Sequence, residues 1–166
     1  DYKPLLANAR FRYIWASQIL SQVTINIINF LLLTRLFEDT GSSIATSFLW
    51  VVYALPAIFI GPFAAASVDM VSKRKMLMVT NLLQAFTIFA YAFLHRTSTF
   101  LLYGVALTYS FLNQFYVPAE ASTIPVVVPK SRLPQANSLF FLTQQSSLIL
   151  GFGFAGILRQ LLGFDR

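Results

Sequence analysis

Four side-chain amides, Gln18, Gln22, Asn26 and Asn29, lie four, four and three residues apart within an uncharged stretch over 13–33. An amide carries donors and an acceptor at one tip. At about 100° per residue, the four fall within roughly an 80° arc of one helical face. Ser21 widens that arc slightly. Amides are costly in hydrocarbon, so the row faces either protein or a water-filled cavity. Two readings stand side by side: lining for a cavity, or interhelical hydrogen-bond glue. A second row, Tyr109, Asn113, Tyr116 and Glu120, is spaced four, three and four. Tyrosine beside an amide suits a pocket for an organic molecule, since the ring buries area and the hydroxyl orients. Tyr116 also fits an interfacial aromatic belt. Gln144 and Gln145 add a third polar point. The cavity candidates are Gln18, Gln22, Asn26, Asn29, Tyr109, Asn113 and Gln144.

Catalytic chemistry finds no such arrangement. The sequence holds no Ser/His/Asp set, no HExxH and no pair of carboxylates within an apolar run, so no catalytic residue and no enzyme is expected. His95 is the only histidine and sits in a short polar turn; with no cysteine in the chain, no metal site or bound cofactor is expected either.

The elements that position these rows follow from composition. Hydrophobic residues make up 57% of the 166, and charged residues 11%, against about 25% in soluble domains. That much apolar surface needs a bilayer, so the class is an integral membrane protein. Five apolar runs approach the roughly 20 residues of a membrane helix: 13–33, 44–68, 76–94, 100–117 and 139–158. They are too long for strands and lack period-two alternation, so the fold class is all-α. The first run is no signal peptide, because it is too long and lacks a small-residue cleavage site. Residues 38–41, Glu-Asp-Thr-Gly, read as a polar turn. The link before the fifth run carries Pro118, Pro125, Pro129 and Pro134 and reads as irregular or briefly helical.

Charge sets orientation. Lys3, Arg10, Arg12, Lys73, Arg74, Lys75, Lys130 and Arg132 fall on one side of the five runs, against Arg35, Arg96, Arg159 and Arg166 on the other. The positive-inside rule puts the N-terminus in the cytoplasm, and the expected location of the multi-pass chain is the plasma membrane. The net charge of +6 sits between apolar runs, not along a basic stripe. A bilayer with anionic lipids is therefore the expected partner, and nucleic acid is not.

The second run carries a seam of small residues, Ala57, Gly61 and Ala65, with Pro56 and Pro62 placed to bend it. Gly151, Gly153 and Gly156 suit close packing in the fifth.

The stretch GPFAAASVDMVSKRK, residues 61–75, resembles the signature loop of the major facilitator superfamily, usually G-x-L-A-D-R-x-G-R-K. Ala65 stands at the first glycine, Asp69 at the aspartate, and Lys73 and Arg74 at the basic pair. Met70 and Ser72 replace the usual arginine and second glycine. Gly61-Pro62, the opening LLANARFRYIWASQILSQ and the segment PAEASTIPVVVPKSRLPQANSL resemble the branch that contains macrolide and siderophore exporters. GFGFAG resembles the antiporter glycine motif, with Phe152 in place of its proline.

The resemblance implies two six-helix halves, with substrate between them and alternating access by rocking. This chain would supply five helices of the six-helix N-terminal bundle, with helix six and the C-terminal half absent. It implies secondary-active efflux of a small organic or amphipathic molecule, driven by an ion gradient, with the proton as the expected ion. A lipid or lysophospholipid mover of the same fold is an alternative, as is a non-transporting scaffold or receptor-like relative. The gating residues it implies are Gly61, Ala65, Asp69, Lys73 and Arg74.

Overall fold

The structure, a computed structural model, describes residues 2–94 and 98–162. The turn at His95 and the bases Arg96 and Arg166 lie outside the described residues. Among the described residues there are seven α-helices and no strand. They are α1 (Lys3–Ala7), α2 (Ala9–Thr40), α3 (Ser43–Phe59), α4 (Gly61–Met70), α5 (Lys73–Leu94), α6 (Phe100–Val127) and α7 (Leu133–Leu162), with a 3-10 turn at Lys130–Arg132 before α7. The helix α2 and the stretches Lys73–Phe93 and Lys130–Ile157 are each long and apolar enough to cross a membrane; α3 and α4 together make a fourth crossing if the bent pair counts as one. The chain is an all-α membrane protein. The run over 100–117 lies in α6, where Tyr109, Asn113, Gln114 and Tyr116 dilute its apolar character.

The bend between α3 and α4 is 48°. Pro56 lies inside α3 and Pro62 in the first turn of α4. Each removes a backbone donor and crowds the carbonyl four residues back, which is where a helix gives way. The ladder survives locally through Ile60 N–H, which donates to the Pro56 carbonyl at 2.9 Å.

Two expected loops are helical. The residues read as a polar turn, Glu38, Asp39 and Thr40, instead complete α2. Arg35 pairs with Asp39 one turn later at 3.2 Å, and the Thr40 hydroxyl donates to the Leu36 carbonyl. The chain reverses at Gly41, whose φ of 62° is the left-handed conformation that glycine adopts without a Cβ clash. Ser42 then caps α3 by accepting from Ala45 N–H. The proline-rich link is corrected in the same direction. Helix α6 runs through Pro118 and Pro125 to Val127, and only residues 128–132 leave α-helical geometry. A proline inside a helix costs about 3 kcal/mol. Burial of Ile124 and Val128 in the cluster with Leu5 and Phe11 offsets that cost.

The chain forms two compact units. Unit one is Asp1–Leu31 with Thr123–Arg166, and unit two is Leu32–Ser122. The core of unit one gathers Leu5, Phe11, Ile124, Val128, Ala136 and Phe140. Unit two buries Leu49, Val52, Ala64, Val68, Leu102 and Ala106. There the Tyr103 hydroxyl donates to the Ala45 carbonyl at 3.0 Å, and the Ser110 hydroxyl donates to the Tyr53 carbonyl, tying α6 to α3.

Candidate functional site

In unit one the amide row divides by use. Gln18 is 4% exposed, and its Nε2 donates to the Phe140 carbonyl of α7 at 3.2 Å. Its Oε1 is buried without a partner among the described residues. Asn26 is buried too, and its Nδ2 donates back to the Gln22 carbonyl at 2.8 Å. A β-carbon placed on Gly151 would lie 2.4 Å from Asn26 Cβ and 3.2 Å from the Val23 carbonyl oxygen. Glycine is what lets α7 approach α2 at that point. Gly153 and Gly156 meet nothing within 4 Å, so the close contact belongs to Gly151. Gln18 and Asn26 therefore serve helix contacts. Gln22 and Asn29 are half-buried, and their side chains make no hydrogen bond among the described residues.

Gln144 and Gln145 stand on the exposed side of α7. The polar residues that α7 turns toward α2 are the ones beside them. Trp15 Nε1 donates to Thr143 Oγ1 at 2.8 Å, and Ser147 is fully buried. Gln144 thus shares no face with Gln18 within unit one. Sequence spacing could have shown this, since Thr143 and Ser147 are one helical turn apart and Gln144 is rotated by about 100° from Thr143.

In unit two Tyr109 is buried, while Asn113 is half-buried without a side-chain hydrogen bond among the described residues. The Gln114 amide donates to the Ser110 carbonyl, and Gln114 Oε1 would lie 3.5 Å from a β-carbon on Gly61. The Tyr116 hydroxyl donates to Glu120 Oε1 at 2.7 Å, and both residues are buried. The second row thus holds one internally satisfied pair and one amide in reserve.

The signature loop falls where α4 ends and α5 begins. The seam expected of Ala57, Gly61 and Ala65 is offset: Pro56, Ala64 and Val68 are the buried residues, while Ala57 and Ala65 are exposed. Asp69 lies in the last turn of α4 and is exposed. Among the described residues it pairs with neither Lys73 nor Arg74, which open α5. Negative charge at a helix C-terminus is locally unfavourable, and no base among the described residues pairs with it.

Sequence reasoning missed a third row. Thr80, Gln84, Thr87 and Tyr91 run along α5 at the same four, three and four spacing. Thr80 and Gln84 are buried, and Gln84 Nε2 has no partner among the described residues. The threonine hydroxyls donate to Met76 and Leu83 carbonyls of their own helix. The signal was legible but spread among more apolar neighbours. Beside it, Leu83, Phe86, Tyr91, Val105, Thr108 and Phe111 line an open, mostly apolar groove of about 530 Å³ between α5 and α6.

Known proteins add to this geometry. The family model described as Major Facilitator Superfamily matches residues 14–165. An uncharacterized MFS-type transporter, YjbB of Bacillus subtilis, is 24% identical over 143 residues, covering 84% of this chain and 35% of the relative. Macrolide efflux protein A of Streptococcus pyogenes is 26% identical over 152 residues, covering 90% of this chain and 38% of that protein. A second uncharacterized MFS-type transporter, YfiS of Bacillus subtilis, is 24% identical over 159 residues, 94% of this chain and 37% of its own length. The chain thus spans little more than a third of the relatives it matches. No solved structure matches.

Proposed function

The chain belongs to the Major Facilitator Superfamily, and on that premise we propose that it is part of a secondary-active exporter of small organic or amphipathic molecules. The observation that carries this reading is the set of half-buried amides whose side chains have no partner among the described residues, Gln22 and Asn29 on α2 and Asn113 on α6. Polar groups left open in a membrane helix need water or a solute to satisfy them. The similarity to a macrolide efflux protein supports an amphipathic organic substrate. The relatives' greater length supports a second helical half that works with this one.

In this reading the exporter alternates access by rocking its halves, driven by an ion gradient, with the proton as the coupling ion. Asp69, unpaired among the described residues, binds the other half while the cytoplasmic side is closed and lets go as it opens. Its loss shifts a population between conformations and leaves the fold in place.

The test is drug accumulation in macrolide-sensitive bacteria that express the full-length protein. Accumulation is expected to fall relative to cells without it, and to recover with Asn29→Leu or Asp69→Asn at unchanged membrane expression. Unchanged accumulation across a panel of macrolides and other amphipathic compounds would overturn the exporter reading. Loss of folded Asn29→Leu protein in proportion to lost transport would return that residue to helix packing.

A further inference from the structure

We propose that the end of unit one that carries α1 is a docking surface for the headgroups of anionic lipids. Three stretches of chain meet there. Leu5 of α1 and Phe11 of α2 are buried in one cluster with Ile124 and Val128 at the end of α6 and Ala136 and Phe140 of α7. Hydrogen bonds hold the same stretches together. Asn8 Nδ2 donates to the Val127 carbonyl at 2.9 Å, and the hydroxyls of Tyr2 and Ser138 lie 3.1 Å apart.

Each stretch brings its bases. Lys3, Arg10 and Arg12 flank Leu5 and Phe11; Lys130 and Arg132 sit in the 3-10 turn between Val128 and Ala136. Arg10, Arg12 and Lys130 are exposed, and Arg132 is half-exposed. The described residues of unit one contain no aspartate or glutamate at all. No carboxylate meets Arg10, Arg12, Lys130 or Arg132 among the described residues. Arg10, Arg12, Lys130 and Arg132 are thus gathered around one apolar cluster with no carboxylate partner among the described residues. Their mutual repulsion calls for an anion from outside.

The surroundings choose a lipid as that anion. The bases stand where α2 and α7 turn apolar, so they lie near the level of phosphate groups when those helices span a bilayer. Tyr13 is 78% exposed, and Tyr2 and Leu6 are exposed beside the bases. A free phosphate has no use for that apolar fringe, whereas a lipid engages both its headgroup and its chains. Guanidinium groups suit the phosphate because their paired N–H groups match its oxygens.

The experiment uses the purified protein in nanodiscs of mixed phosphatidylcholine and phosphatidylglycerol. Retained lipid is counted by native mass spectrometry, and thermal unfolding is followed by tryptophan fluorescence. Phosphatidylglycerol should be retained over phosphatidylcholine, raise the unfolding midpoint, and lose both effects in high salt. The variant Arg10→Gln/Arg12→Gln/Lys130→Gln/Arg132→Gln should lose about tenfold or more in that selectivity, as the removal of several near-surface charges implies. The milder pair Lys130→Gln/Arg132→Gln should lose part of it and serves if the larger variant does not fold. Equal retention of the two lipids, unchanged selectivity in both variants, or equal stabilisation by inorganic phosphate would each overturn the proposal. So would an equal loss in Lys73→Gln/Arg74→Gln/Lys75→Gln on unit two, which would trace the effect to basic charge in general. The readout needs no transport, so it stands or falls apart from the exporter reading.

Discussion

Gln18 and Gly151 show how one side chain decides between two roles for a polar membrane helix. Gln18 has a donor satisfied by the Phe140 carbonyl and an acceptor satisfied by nothing described. A membrane hydrogen bond is worth about 0.6 kcal/mol, whereas a buried unpaired acceptor costs about 1–3 kcal/mol. Gln18→Leu should therefore leave thermal stability unchanged or raise it. A fall of several degrees in the unfolding midpoint would mean that a water or another group occupies Oε1. Gly151 predicts the opposite. An added methyl meets Asn26 Cβ at 2.4 Å, and that atom sits close to the backbone and cannot swing away. Gly151→Ala should cost about 1–3 kcal/mol by overpacking, while Gly153→Ala, with open space around it, should cost far less. Equal losses in the two variants would contradict the close approach.

Among the elements, the junction of α1, α2 and α6 departs furthest from the sequence reading. Asn8 caps α2 by accepting from Arg10 N–H at 3.0 Å and Phe11 N–H at 3.4 Å. The same side chain donates to the last carbonyl of α6 at Val127. One residue thereby starts one helix and finishes another. Asn8→Ala should cost about 0.5–2 kcal/mol, the range for loss of an N-cap. Asn8→Ser should recover much of that by capping α2 alone, as measured by chemical denaturation. A serine variant as weak as the alanine one would show that the bond to Val127, and not the cap, carries the effect. This junction also explains why α6 continues past Pro118 and Pro125. Local propensity counts each proline against the helix, but Ile124 and Val128 gain burial against Leu5 and Phe11 only if the helix continues. Those partners lie more than a hundred residues away in sequence, beyond the reach of a local rule.

For the whole molecule, orientation is the property that charge alone predicts. The bases flanking the apolar runs predict a cytoplasmic N-terminus. The chain has no cysteine, so single cysteines at Ser72 and Ser98 give a clean test with a membrane-impermeant thiol reagent. Ser98 should label in intact cells and Ser72 only after permeabilisation. The reverse pattern would overturn that orientation.

Membrane class, helical fold and family were all legible in the residues, because apolar run length and a motif loop are local properties. The polar rows were legible as rows for the same reason, since helical spacing follows from residue number. Their roles were not. Whether Gln18 glues two helices or Gln22 stays open depends on which face meets α7, a matter of a few tens of degrees that spacing does not resolve. The same holds for Gln144, which shares a helix with Thr143 and Ser147 but not their face. At 38–40 the local reading overlooked the pairing of Asp39 with Arg35 one helical turn back, whereas the proline link failed because distant partners, Leu5 and Phe11, bury the end of α6. Folding adds the energy of contacts between distant residues, and that energy overrides propensity where burial is large enough.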